Sequence, residues 1–197
     1  ILDTLNKQAY DLSTLQFLQF GFWDTIVSVL DQYGSQFVAD VDLRPDRNTV
    51  VRVLGQLDTA SGVLSVYYAS LEPDTLKLVD NPFDGFLPPN VNSPEGEGFV
   101  QFLVEPKASL QHLDRIENDA AIYFDANKPI YTPVWLNTVD QEAPVSEVDN
   151  LPAQTAATQF TVSWQGTDDH AGIMDYDVYV IVNDTFSYIW KKGVNYT

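Results

Sequence analysis

The chain contains no cysteine, which excludes disulfides, thiolate metal sites and cysteine nucleophiles. Basic residues are scarce: ten Lys and Arg stand against 28 Asp and Glu, for a net charge of −18. The imbalance is not confined to a tail, since residues 1–140 hold 20 acids and 8 bases and residues 141–197 hold 8 and 2. A field of this sign repels phosphate backbones and anionic lipid surfaces, so nucleic acid is not an expected partner. Long apolar runs are missing too. The longest, such as YVIV at 179–182, are far too short for a membrane-spanning helix, and no membrane insertion is expected. Only two histidines occur, His112 and His170, and neither sits in a recognisable motif. Nor is there a G-x-S-x-G elbow, an H-E-x-x-H pair or a phosphate-cradling glycine loop. A glycosidase pair could hide among 28 carboxylates, but a sandwich of this size leaves little room for a deep cleft. No enzymatic activity is expected.

What is plentiful is strand-forming. The chain is 45% hydrophobic and 13% aromatic, and its eleven prolines and ten glycines fall at short intervals. That is the composition of an all-β chain with many turns and enough apolar mass for a core. FVADVDL at 37–43 alternates strictly, with Phe37, Ala39, Val41 and Leu43 on one face. The turn RPDRN at 44–48 leads to a returning strand, TVVRVLGQLD, and VLSVYYASL at 63–71 follows. Residues 72–98 are rich in proline and read as loop; FVQFLVEP, AAIYFD and IYTPVWLNTVD restore strands. Residues 1–35 are less clear. LSTLQFLQFGFWDTIVSVL fits two strands broken at Gly21, although its apolar density also fits a buried helix. Strands are the favoured reading. QFTVSWQG and YDVYVIV supply the alternation of the C-terminal part, with Tyr176, Val178, Val180 and Val182 expected to be buried.

The phrases VDLRPDRNTVVRV, LEPDT, GFLPPN, GEGFVQF, NDAAIYFDANKPIYTPVWLNTVD and SWQGTDDHAGIMDYDVYV together resemble a module pair of large bacterial extracellular and surface proteins. There a β-sandwich is followed directly by an Ig-like or fibronectin-III-like module. The resemblance spans roughly residues 36–190, departing at His170-Ala171-Gly172, where Ser-Gly is usual. It implies secretion, tandem β-sandwiches and structural or adhesive work, with no catalytic residues. The expected architecture is therefore an antiparallel β-sandwich at 1–140, a linker and first edge strand at 141–152, and a partial Ig-like or fibronectin-III-like sandwich at 153–197.

From Val145 to Thr197 there are 53 residues, where a complete sandwich of that class has roughly 100. Two expectations follow. Either the polypeptide continues, or the remaining strands come from another molecule by strand addition. In the second case the apolar, alternating stretch Leu12–Leu30 is the best donor, through Leu15, Phe17, Phe20, Phe22 and Ile26. Phe160, Val162 and Trp164 would form the acceptor face. Donor and acceptor differ, so such a contact would be head-to-tail and could propagate as a filament.

Two acidic groups are candidate calcium ligands, because carboxylate and amide oxygens suit that ion. The first is Asp168, Asp169, Asp175 and Asp177; the second is Asp125 with Asn127. Solvated turns, in which Asp accepts backbone N–H bonds, are the plain alternative. Trp23, Tyr67, Tyr68, Trp135 and Trp190 are candidates for a flat platform under a sugar ring, unless they pack the cores as aromatics usually do. The expected function is a non-catalytic extracellular, cell-surface module that self-associates or packs on neighbouring domains. A carbohydrate-binding module is the alternative.

Overall fold

A computed structural model describes residues 1–29, 34–81 and 84–195. Among these residues every regular element is a strand, and every strand pairing is antiparallel. The chain is all-β. It divides into two compact units: Ile1–Leu110 with Asp114–Thr138, and Gln111–Leu113 with Val139–Thr197. The short segment 111–113 thus leaves the first unit and belongs with the chain from Val139 onward, which takes in the expected linker.

The first unit opens with β1 (Leu2–Thr4), the long β2 (Tyr10–Phe22) and β3 (Thr25–Ser28). Then come β4 (Gln36–Asp42), β5 (Val50–Asp58), β6 (Val63–Leu71) and β7 (Gly98–Pro106). Short strands complete it: β8 (Arg115–Asn118), β9 (Ala120–Ile122), β10 (Ile130–Tyr131) and β11 (Trp135–Thr138). A six-stranded sheet has the order β10-β9-β1-β6-β5-β4, and a three-stranded sheet has the order β3-β2-β7. β8 and β11 form a separate ladder.

The two larger sheets meet through one core. Leu15, Phe17, Phe20 and Phe22 of β2 pack against Phe37, Val51, Val53, Leu64 and Val66 of the opposite sheet. Phe17 meets Phe37 edge-on at 4.7 Å, and Phe20 stacks on the same ring at 5.7 Å. Both are geometries that aromatic pairs favour. Gly55 of β5 makes room for this contact, because a Cβ there would clash with the edge of the Phe37 ring and stand 3.0 Å from Phe17. The Tyr68 hydroxyl crosses from β6 to β7 and donates to the Phe99 carbonyl at 2.6 Å.

The alternation at 37–43 has the expected consequence: Phe37 is buried, Ala39, Val41 and Leu43 pack partly against the core, and the intervening acids face water. Asp40 stands directly across from Arg52 and accepts two hydrogen bonds from its guanidinium at 2.7 Å each. The hairpin between β5 and β6 closes on Gly62 at φ +84°, a conformation glycine adopts at little cost.

The N-terminal stretch corrects the sequence reading in two respects. The strand does not break at Gly21. It runs through it, because the Phe99 ring of β7 lies where a Cβ would stand, and the turn falls at Trp23-Asp24 instead. Trp23 takes φ +54° with the Arg47 guanidinium 4.3 Å above its ring. The donor expectation is also corrected. Leu15, Phe17, Phe20 and Phe22 are at most 3% exposed within their own unit, so their apolar faces are already covered. Ile26, 65% exposed, is the exception, and Leu30 lies outside the described residues.

The second unit contains two ladders. β12 (Val145–Val148) pairs with β13 (Trp164–Thr167), and β14 (Tyr176–Val182) pairs with β15 (Phe186–Val194). Trp164 and Val178 are buried, and Gly166 admits Ile173 and the Tyr176 ring where a side chain would obstruct them. Of the expected acceptor face, only Trp164 lies in a strand. Phe160 is 60% exposed and Val162 half-buried, both in irregular chain. Past the ladder the Asp149 N–H still donates to the Ser163 carbonyl at 2.9 Å and Ser163 Oγ donates to Asp149 Oδ2 at 2.7 Å, but Pro152, soon after, has no N–H to extend the partner strand. On β14 the expected buried face fades along the strand, from buried Val178 to Val182 at 43% exposed.

Two outcomes test this account. Phe20→Ala should cost about 3–5 kcal/mol in denaturant unfolding of the first unit, and Gly55→Ala about 1–3 kcal/mol by forcing the Phe37 ring aside. A loss below about 1 kcal/mol in both would contradict the core described. The second outcome concerns Asp3, which is 6% exposed and takes one hydrogen bond, from Asn118 Nδ2 at 2.8 Å. Its Oδ1 and Asn118 Oδ1 are buried acceptors without a donor. Burial, reinforced by nearby Asp119, raises the Asp3 pKa. A raised carboxyl pKa means that ionised Asp3 opposes folding at neutral pH, and that the opposition fades as pH falls through the folded value. Asp3→Asn should therefore melt no lower than the parent at neutral pH, with the parent gaining on it as the solution is acidified.

Candidate functional site

The second unit gathers four chemically active side chains from three separate segments. The segment Gln111–Leu113 is tied in by the Leu113 N–H, which donates to the Val139 carbonyl at 2.8 Å. This places His112 beside residues 140–142. Its Nδ1 accepts the Gln141 N–H at 3.2 Å and lies 3.4 Å from Asp140 Oδ1. Its Nε2 lies 3.7 Å from Glu142 Oε1. The third segment is the turn after β13, where Asp168 Oδ1 accepts the N–H groups of His170 at 3.1 Å and Gly172 at 2.8 Å. Gly172 takes φ +75°, which completes that turn. The His170 ring then meets the His112 ring edge-on, with centroids 5.1 Å apart.

Asp140 fastens the arrangement. Its Oδ1 accepts the Glu142 N–H at 2.9 Å and its Oδ2 accepts the Ala171 N–H at 3.0 Å, so one carboxylate bridges two loops. These backbone donors, with the two imidazoles nearby, hold its pKa below the usual carboxylate range. Asp140 and His112 are mostly covered, with side chains 11% and 24% exposed, while Glu142 is open to solvent at 65%. His112, Glu142 and His170 each offer one ligand atom within 4.8 Å of the others.

The acids singled out in the sequence do not converge in this way. Asp168 spends an oxygen on its own turn, and Asp177 Oδ1 accepts the Gly193 N–H at 2.9 Å across the β14–β15 ladder. Asp169 and Asp175 are exposed, and among the described residues none of the four joins a set of three or more clustered acids or histidines. Asp125 takes φ +52° in a turn where Asn127 donates both its N–H and its side-chain amide to the Phe124 carbonyl. Of these residues, Asp168 and Asn127 make the hydrogen bonds that close their turns. The histidines, 58 positions apart in the chain, carried no local signal that they would meet.

Residues 68–138 match a family described as a domain of unknown function (DUF7619). The DUF7619 match runs from β6 to β11 and includes His112, but not Asp140, Glu142 or His170. No curated protein and no solved structure matches the chain.

The aromatic candidates differ in exposure. Tyr67 and Tyr68 point to opposite faces of β6, Tyr67 outward at 57% exposure and Tyr68 into the core contacts. Trp135 stands out at 71% exposure, its indole Nε1 donating to Asn137 Oδ1 at 3.2 Å. An open cleft of about 410 Å³ in the first unit is lined by Asn48, Glu72, Asp74, Asp80 and Asp84.

The bridging role of Asp140 has a measurable consequence. Asp140→Ala should accelerate amide hydrogen exchange at Glu142 and Ala171 while leaving β5 and β6 unchanged. Because the Asp140 pKa is depressed, the protection it gives should persist at neutral pH and be lost only as pH falls below the usual carboxylate range. Unchanged exchange at both amides would show that the carboxylate does not bridge the loops.

Proposed function

We propose that this chain is a non-catalytic structural or adhesive module of an extracellular, cell-surface protein, working by β-sheet association. The observation that carries the reading is the β14–β15 hairpin, which is apolar on both faces. Tyr179, Ile181 and Ile189 lie on one side, at 59%, 65% and 42% exposure. Val182, Phe186 and Tyr188 lie on the other, at 43%, 65% and 46%. Strands apolar on both faces belong in the interior of a layered structure, and an isolated two-stranded hairpin is marginal in water. An exposed surface of this kind marks an interaction site. A neighbouring domain or a second copy, laid against the hairpin, would bury it. The resemblance of residues 36–190 to tandem modules of surface proteins supports the same reading, as does an acidic surface that stays soluble while two such faces are offered.

A carbohydrate-binding module is the second reading, favoured by Trp135, whose exposed indole is fixed in orientation by Asn137. Sedimentation velocity separates the two. The structural reading expects reversible association that rises with concentration, needs no sugar, and weakens in both Ile181→Asp and Phe186→Asp. A chain that remains monomeric, and that binds a glycan array unless Trp135→Ala is introduced, would replace it with the second.

A further inference from the structure

We propose that His112, Glu142 and His170 form a binding site for a divalent transition-metal ion of the zinc class, with Asp140 as the group that orients His112. The site goes beyond the structural reading and does not depend on it.

The donor set is the first argument. Two imidazole nitrogens and one carboxylate are the ligands preferred by zinc and its neighbours, whereas calcium and magnesium take oxygen throughout. The geometry is the second. Donors about 2.0–2.1 Å from a tetrahedral ion stand roughly 3.3–3.4 Å from one another. His112 Nε2 and Glu142 Oε1 are already 3.7 Å apart, and all three donors fall within 4.8 Å. Closure therefore needs about an ångström of movement or a little more. Glu142 and His170, the two exposed members, are free to make it by rotating. Water takes the fourth position.

The third argument is the environment of the His112 ring. A metal at Nε2 requires the proton on Nδ1, and metal-bound histidines usually donate that proton to a carboxylate or carbonyl. Asp140 Oδ1, 3.4 Å from Nδ1, is the acceptor in place, and its bonds from the Glu142 and Ala171 N–H groups fix its position. Without metal, Nδ1 accepts the Gln141 N–H, which puts the ring proton on Nε2, towards Glu142. Metal binding thus exchanges one tautomer of His112 for the other and releases the Gln141 N–H from Nδ1. Bound there, the ion links three segments otherwise joined by a few hydrogen bonds, closing loops of some thirty residues on either side of Glu142.

The test uses the full chain without an affinity tag, stripped with chelator and titrated with Zn²⁺. The expected result is one equivalent bound, with a rise in melting temperature that millimolar Ca²⁺ or Mg²⁺ does not reproduce. His112→Gln and His170→Gln should each weaken binding at least about tenfold, and Asp140→Asn by about tenfold through loss of orientation. Long-range ¹H–¹⁵N spectra should show His112 moving from the Nε2–H to the Nδ1–H tautomer when Zn²⁺ is added. His170 lies in an exposed turn built by Asp168 and Gly172, so its variant keeps the fold and serves as the control for misfolding at the half-buried His112. Equal Zn²⁺ affinity in the parent and the double histidine variant would mean adventitious binding to surface carboxylates, and would overturn the site. So would the absence of any Zn²⁺-dependent change.

Discussion

The first unit depends on one strand. β2 carries Leu15, Phe17, Phe20 and Phe22 into the space between two sheets, and each of these side chains is almost fully covered. Burying each stabilises the fold by about 1.5–3 kcal/mol, so the strand contributes more than any polar contact in the unit. Its neighbours are shaped around it. Gly55 yields space to Phe37, which meets both Phe17 and Phe20, and Gly21 yields space to Phe99 on the adjoining strand. Irregularities in the pairing of β2 with β7, between Asp11 and Gln16 and between Phe17 and Gln19, let thirteen residues follow the curvature of a twisted sheet. Remove the strand, and the inner face of the six-stranded sheet loses its fully buried partners, leaving only the partly buried side chains of β3 and β7 opposite it.

The second unit is organised differently. Among the described residues, only Trp164 and Val178 of its large apolar residues are buried, and apolar side chains face water on both sides of β14–β15. Ordering instead comes from carboxylates that accept backbone N–H groups. Asp140 joins residue 142 to residue 171, Asp168 closes its turn, and Asp177 reaches across to Gly193. Such bonds fix loop geometry without supplying much net free energy, since each replaces a bond to water. A unit built this way is well defined locally and gains most from outside, either from a covering partner or from a bound ion.

This contrast explains what could be read in the sequence. Alternation at 37–43, 50–58 and 63–71 was legible because one face of each strand is buried and the other wet, which imprints a period of two. β2 was ambiguous because its apolar side chains are denser than simple alternation, and because the strand that pairs along most of its length, β7, lies 76 to 96 residues away. Its apolar density looked like an unpaired donor when it was in fact the centre of the core. β8 escaped notice because RIEN buries only Ile116. The acidic clusters drew attention by their number, yet a turn aspartate spends its oxygens on nearby N–H groups and has fewer left for a cation. The histidine pair was invisible for the opposite reason. Its members sit 58 residues apart, and only the docking of the short segment 111–113 against residue 139 brings them together.

An acidic surface and a histidine cluster pose a problem of selectivity that the geometry answers. With a net charge of −18, the protein gathers cations of every kind near its surface, and Coulomb attraction does not discriminate among divalent ions of similar size. Discrimination needs donors that differ in kind. Nitrogen ligands supply it, because imidazole binds zinc-class ions far better than it binds calcium or magnesium. The surrounding acids then raise the local concentration of cations, while two imidazoles decide which is retained. Of the 28 carboxylates, Asp140 matters most here, since its two hydrogen bonds from backbone N–H groups position it to accept a hydrogen bond from His112 Nδ1–H. The ion would add to the second unit what its small core does not provide, a link between distant segments whose strength does not depend on buried area.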